Sequence, residues 1–198
     1  KGVAKWRRVG GLVAIQFTIA VGAGITMPFV SRYLQHELHA SDAAIGVIRG
    51  VTQLAIAVAA LTGPWLKRHL GVRWSMVLIQ AASLPFLIAV PFVKSLALIG
   101  PILWARSALM NMSWPLYNQY SMHNVVSREK PVIGASIAFS WAVGLLIGDL
   151  VGGFLMEAGL GSYSYFITAA IYLLGIVFMA TMITGEGSGP GKLVEDPL

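Results

Sequence analysis

The chain has 198 residues, of which 57% are hydrophobic and only 11% carry a charge, a balance that excludes an ordinary soluble domain. It has no cysteine, which excludes disulfides, thiolate metal sites and cysteine catalysis. The net charge is +6, but the basic residues lie between apolar runs and form no single patch, which argues against nucleic-acid binding. These features predict an integral membrane protein.

Six apolar runs follow one another along the chain, each close to the ~20 residues that a helix needs to cross a bilayer core of ~30 Å. They cover residues 9–30, 43–66, 74–92, 95–121, 132–156 and 163–183. A hydrophilic link at 31–42 separates the first two runs. It ends near Ser41, which suits the N-cap of the second helix, and Pro131 suits the first turn of the fifth.

We therefore predict an all-α polytopic membrane protein with six transmembrane helices, forming one domain over residues 1–184. The remaining residues, 185–198, are rich in glycine and proline. They predict a disordered tail on the cytoplasmic side.

Basic residues are distributed unequally between the two sets of links. If the N-terminus faces the cytoplasm, ten lysines and arginines lie on the cytoplasmic side, and only Arg32 and Lys94 lie outside. Cytoplasmic links of membrane proteins are enriched in such residues, so we predict that both termini are cytoplasmic. The expected location is the plasma membrane, or the cytoplasmic membrane if the source is prokaryotic.

The fourth run, residues 95–121, is the most polar of the six. On an α-helix of ~100° per residue, one side is apolar and a second side carries a polar and aromatic stripe. The stripe consists of Trp104, Ser107, Asn111, Trp114 and Asn118. Such a helix either lines a wet cavity or holds its neighbours together by polar contacts. The arginine at position 106 favours the lining role, because a charge inside the membrane is costly.

Amide groups can orient a polar ligand, and aromatic rings offer flat faces for stacking. On this basis the candidate substrate contacts are Gln16, Thr26, Arg106, Asn111, Trp114, Tyr117 and Asn118.

Two charges lie well inside predicted helices, Arg106 in the fourth and Asp149 in the fifth. Both residues lie only a few ångströms outside the midpoints of their predicted spans, so their side chains could meet at a similar depth in the membrane and form an ion pair. In a functional interpretation, Arg106 binds an anionic group of a substrate, or Asp149 carries a proton that is coupled to transport. The alternative is a static buried ion pair without a function.

Three segments resemble the major facilitator superfamily. The run PFVSRYLQHELHASDAAIGVIRG is similar to the first-to-second helix region of one of its repeats. The turn PWLKRHLGVR resembles the superfamily's basic loop between the second and third helices, whose pattern is roughly G-x-L-x-D-R-x-G-x-R. Leu66, Gly71 and Arg73 match this pattern, and Arg68 stands at the position of the aspartate. The segment GLLIGDLVGG is similar to G-x-x-x-G-P-x-x-G-G, with Asp149 at the proline position.

The resemblance implies one six-helix half, built as a 3+3 inverted repeat, of a twelve-helix transporter. The degraded loop motif favours the C-terminal half, and we expect the other half upstream in the same chain. In that fold the first and fourth helices line the central cavity, and Gly71 and Arg73 belong to a gating loop. The glycines of the fifth helix would slide on the other half or, alternatively, pack closely within this one. They are Gly144, Gly148, Gly152 and Gly153.

The function that the resemblance implies is secondary active transport of a small molecule by alternating access, coupled to a gradient of an ion such as the proton. The aromatic residues favour an amphipathic or drug-like substrate and its export. The alternative is a non-transporting membrane sensor or scaffold that keeps the fold.

Enzyme activity is not expected. The chain has neither a G-x-S-x-G nucleophile motif nor a phosphate-binding loop, and its four histidines complete no metal site. We predict no cofactor and no metal. The expected partners are a small-molecule substrate, membrane lipid and the other six-helix half, with no nucleic acid.

Overall fold

The computed structural model describes residues 2–122, 125 and 127–183, and all regular structure in this part of the chain is helical. The helices are α1 (Gly2–Thr26), α2 (Val30–Leu38), α3 (Asp42–Ala89), α4 (Leu96–Met122), α5 (Lys130–Glu157) and α6 (Gly161–Met182). Short 3-10 turns occupy Val90–Phe92 and Ser127–Glu129. The all-α prediction is confirmed, and the predicted tail at 185–198 lies outside the described residues.

Among the described residues, five helical segments are long and apolar enough to cross a membrane. They are Val9–Leu38, Asp42–Gly63, Trp65–Phe92, Lys130–Glu157 and Gly161–Met182. α4 corresponds to the fourth predicted span, at residues 95–121, and is not among these five. It has the necessary length, but its amides and hydroxyls make it more polar than the other five.

The predicted hydrophilic link at 31–42 is largely helical. After a break at residues 27–29 the chain continues as α2, an amphipathic helix with Tyr33 and Leu34 buried. The Tyr33 ring packs edge-on against the Tyr165 ring of α6, with centroids 5.0 Å apart. This contact stabilises a helix whose other side is polar. The predicted cap is confirmed, since the Ser41 hydroxyl accepts a hydrogen bond from the Ala44 amide at 3.3 Å.

α3 contains two limbs that meet at Gly71, where the backbone leaves the helical region with φ 74° and ψ 167°. Only glycine adopts this conformation readily. The Thr62 hydroxyl lies 2.9 Å from the Met112 sulfur, and the Gln80 side chain lies 3.1 Å from the Ser113 hydroxyl. A continuous helix would separate residues 62 and 80 by ~27 Å. Because both reach adjacent residues of α4, the chain must fold back at Gly71.

α1 and α5 run in the same direction and meet along a seam of glycines. The seam consists of Gly24 from α1 and Gly144, Gly148 and Gly152 from α5. A Cβ atom at Gly144 would lie 2.7 Å from Ala20 Cβ, and one at Gly152 would lie 2.5 Å from the Ile25 carbonyl oxygen. The two backbones are therefore too close to admit any side chain, as in other membrane helix pairs rich in small residues.

The seam decides between the two interpretations of the α5 glycines. Gly144, Gly148 and Gly152 are covered by α1, so the expectation that they slide on a second half is wrong for these three. They provide close packing within this half, which was the alternative. Gly153 lies beside the seam, where a Cβ would make an ordinary contact of 3.7 Å with the Phe29 ring.

We predict that Gly148→Ala lowers the free energy of unfolding by about 1–3 kcal/mol, the usual cost of overpacking. Its Cβ would lie 2.8 Å from Gly24 Cα and would overlap the Val21 carbonyl oxygen. The measurement is the thermal midpoint of the detergent-purified protein. The control is Gly46→Ala in α3, where a Cβ meets nothing within 4 Å. Equal midpoints for the two variants would contradict the seam.

Candidate functional site

A cavity of about 180 Å³ lies between α1, α3, α4 and α5. It is lined by Gln16, Ile19, Met27, Gln80, Met110, Asn111, Ser113, Trp114, Tyr117 and Trp141. α1 and α4 supply most of these side chains, as expected for the first and fourth predicted spans. None of the ten carries a formal charge.

One wall of the cavity is aromatic. The Trp114 and Trp141 rings meet at 57° with centroids 5.6 Å apart, so they form a corner between α4 and α5. Tyr117 lies one turn away from Trp114, and its ring is within 18° of parallel at 6.3 Å. The Tyr117 hydroxyl donates to the Leu12 carbonyl oxygen at 2.6 Å, so this tyrosine offers the cavity its ring and not its hydroxyl.

Two deeply buried glutamines also line the cavity. Gln16 is 2% exposed and Gln80 is 4% exposed. The Gln80 Nε2 group donates to the Ser113 hydroxyl at 3.1 Å, and that hydroxyl donates to the Met110 carbonyl oxygen at 2.9 Å. The other amide atom of Gln80, Oε1, has no hydrogen-bond partner, and neither has Gln16 Nε2. Unpaired buried polar atoms are uncommon and call for an explanation such as a ligand or an ordered water.

The structure brings together four of the seven predicted contact residues, Gln16, Asn111, Trp114 and Tyr117. Thr26 and Asn118 are not part of the cavity wall. Thr26 is buried near the end of α1, and its hydroxyl has no partner. The Asn118 carbonyl oxygen accepts from the Ser121 hydroxyl within α4.

Sequence reasoning missed Gln80, Ser113 and Trp141. Gln80 had a usable signal, because an amide in the middle of an otherwise apolar span is costly unless it has a partner or a role. Ser113 had a weaker signal, since it lies on the stripe of the fourth helix that carries Arg106 and Tyr117, and Trp141 had none. Only the packing of α4 against α3 and α5 shows that these two side chains face the cavity.

Arg106 is 4% exposed and lies outside the cavity wall. Its Nη2 group is 3.5 Å from the Tyr172 hydroxyl of α6, and its guanidinium carbon is 5.9 Å from the centroid of that ring. Among the described residues, no carboxylate pairs with it. The interaction with Tyr172 is weak for a buried charge, because 3.5 Å is at the long limit for a hydrogen bond.

The expected Arg106–Asp149 ion pair does not form. Asp149 lies at the seam of α1 and α5, where its backbone nitrogen is 2.8 Å from the position of a Cβ on Gly24. Its buried Oδ1 atom has no hydrogen-bond partner. The two charges face different helix pairs, which depth along the helix did not reveal.

The two residues of the resembled loop have structural contacts. Gly71 makes the reversal of α3, and Ser75 donates to its carbonyl oxygen at 2.6 Å. The Arg73 guanidinium carbon lies 5.2 Å from the centroid of the Trp74 ring, and its Nε atom is buried without a partner. No acidic side chain of the described residues completes the charge pattern that such a loop usually has.

Comparison with protein families supports the resemblance. The family model described as Major Facilitator Superfamily matches residues 12–196, which is most of the chain. A comparison with curated proteins gives no match.

We predict that Arg106→Met raises the free energy of unfolding by about 1–4 kcal/mol, because methionine fills a similar volume without a buried charge. Tyr172→Phe is the control, since it removes the hydroxyl and keeps the ring; it should cost no more than about 1.5 kcal/mol. Thermal melts in detergent measure both. A lower midpoint for Arg106→Met than for the wild type would show that the arginine has partners that stabilise the fold.

Proposed function

The chain belongs to the major facilitator superfamily, and we propose that it forms one half of a secondary active transporter that moves a small amphipathic molecule by alternating access. The observation that carries the proposal is the cavity of about 180 Å³ enclosed by otherwise apolar helices. A cavity with unpaired amides and an aromatic corner suits a ligand with both polar and apolar parts.

The size of the cavity supports a second wall. Sites for small ligands usually have volumes of roughly 300–1,000 Å³, so this half would supply only part of one. Trp114, at the aromatic corner, is 41% exposed although it lines the cavity. We propose that a second six-helix half, upstream in the same chain, covers this open side and completes the site.

The α1–α5 seam offers a route by which a proton affects the cavity. Asp149 lies on the seam, Gln16 of α1 and Trp141 of α5 line the cavity, and both helices are in contact along their length. Gain of a proton at Asp149 would remove a charge from this interface and so alter how the two helices that carry Gln16 and Trp141 pack together. We propose Asp149 as the proton-coupling residue. Arg106 has no such connection, because it faces Tyr172.

The proposed direction of transport is export, since the aromatic wall suits amphipathic compounds that enter from the membrane or the cytoplasm. The alternative function is that of a non-transporting sensor or scaffold, and the experiments below distinguish it from transport. Such a protein would keep its properties when the cavity is altered.

We predict that Trp114→Ala lowers transport about tenfold or more, because it removes the largest stacking face of the cavity; a tenfold change corresponds to about 1.4 kcal/mol of binding free energy. The assay is tracer flux in proteoliposomes containing the complete gene product, with uracil, benzoate and ethidium as uncharged, anionic and cationic aromatic solutes. Trp65→Ala is the matched control, since Trp65 is exposed and does not line the cavity. Equal flux in both variants, or no protein-dependent flux of any solute, contradicts transport through this site.

We predict that Asp149→Asn abolishes the accumulation that a pH gradient drives but leaves tracer exchange at equal concentrations. Without an ionisable group at the seam, solute movement would no longer be coupled to proton movement. Glu157→Gln is the control, because Glu157 lies at the end of α5 and is exposed. If Asp149→Asn accumulates solute to the wild-type level, the coupling role is wrong.

A further inference from the structure

We infer that the part of the substrate held by this half is an uncharged planar group whose edge carries both a hydrogen-bond donor and an acceptor, as in a cyclic amide or imide. This inference rests on the proposed function and concerns the same cavity. It comes from three features: the absence of charge in the wall, the pair of unpaired amide atoms, and the flat aromatic corner.

The wall is neutral. None of the ten side chains that line the cavity carries a charge, and the buried charges near it face elsewhere. Arg106 lies against Tyr172, and Asp149 lies at the α1–α5 seam. Transfer of an isolated ion from water into such a site costs far more than transfer of a neutral polar group. The group that enters here is therefore uncharged.

The hydrogen bonds around Gln80 fix which of its amide atoms is left without a partner. The Ser113 hydroxyl uses its hydrogen on the Met110 carbonyl oxygen, so towards Gln80 it can only accept. The amide of Gln80 must therefore place Nε2 at Ser113 and keep Oε1 free. A ligand donor is needed to satisfy this oxygen.

Gln16, which also lines the cavity, supplies the complementary atom. Its Nε2 group is buried without a partner, and both glutamines are more than nine-tenths buried. Leaving such atoms unpaired costs about 1–3 kcal/mol each. A ligand with an acceptor for Gln16 and a donor for Gln80 removes both costs together.

The aromatic corner selects a flat shape. Trp114 and Trp141 present two ring faces at 57°, while Ile19 and Met27 close the cavity with apolar atoms. A planar group can stack on one ring and contact the edge of the other. Its polar edge then lies towards the two glutamines.

Binding of four probes to the complete gene product in detergent tests the inference. Uracil is planar and uncharged with donors and acceptors; 1,3-dimethyluracil keeps the acceptors and lacks the donors; orotate is the anionic analogue; N-methylpyridinium is a flat cation. Tryptophan fluorescence quenching gives the affinities. We expect uracil to bind at least tenfold more tightly than each of the others. Tighter binding of orotate or N-methylpyridinium, or no saturable binding of uracil, overturns the inference.

Two variants separate the roles of the glutamines. Gln80→Met removes the acceptor, so uracil should lose its advantage over 1,3-dimethyluracil. Gln16→Met removes the donor, so both should bind more weakly by a similar factor. Gln53→Met is the matched control, because Gln53 is exposed on α3 and lies outside the cavity wall. If Gln80→Met keeps the wild-type preference for uracil over 1,3-dimethyluracil, the uracil donor does not bind Gln80 Oε1 in the wild type, which overturns the inference.

Ser113→Ala is a second variant in case Gln80→Met does not fold. It removes the group that holds the Gln80 amide in one orientation, and selectivity for uracil over 1,3-dimethyluracil should fall. Selectivity that stays at the wild-type ratio overturns the inference.

Failure of the inference and failure of transport give different results. The predicted binding pattern without flux in proteoliposomes supports the inference and contradicts the transport function. Flux of orotate that depends on Gln16 and Gln80 supports transport and overturns the inference.

Discussion

The close approach of α1 and α5 is the constraint on which the rest of the structure depends. Because glycines form the seam, the two backbones are in direct contact and leave no room for side chains between them. This contact fixes the position of Gln16 on one helix relative to Trp141 on the other. It also places the backbone of Asp149 against α1, a helix that forms part of the cavity. Packing, cavity shape and the proposed proton coupling therefore have one origin.

The cavity concentrates polar groups in a region where they are expensive. In the hydrocarbon core of a membrane, a polar atom without a protein hydrogen-bond partner cannot bond to bulk water instead. Several other polar side chains in the helices are satisfied locally: Thr18, Thr52 and Ser136 each donate to the carbonyl oxygen four residues earlier. Gln16 and Gln80 do not follow this habit, and both face the same space. The contrast between satisfied and unsatisfied groups supports a ligand-binding role more strongly than composition does.

Hydropathy predicts most of the fold because a segment that crosses a membrane must hydrogen-bond its own backbone as a helix and present apolar side chains to lipid. That reasoning places the five apolar spans from sequence alone. The N-cap preference of serine places Ser41 at the start of α3. It fails at α2, where a polar stretch is helical because Tyr33 packs on Tyr165. The same limit applies to the site: periodicity within one helix finds Asn111 and Trp114, but it cannot show which helices meet. Gln80, Trp141 and the separation of Arg106 from Asp149 depend on that tertiary arrangement.

The reversal at Gly71 has a consequence for the biogenesis of the protein. A single glycine with a positive φ angle turns the chain between two membrane-crossing limbs, with no long polar loop between them. Because the connection is so short, the joined ends of the two limbs lie at the same membrane surface, an arrangement that suits insertion of both limbs together as a helical hairpin. Their polar atoms on the α4 side would then remain exposed to lipid until α4 arrives. α4, the most polar helix, is therefore the element that covers Thr62 and Gln80, the polar groups that the two limbs present on that side.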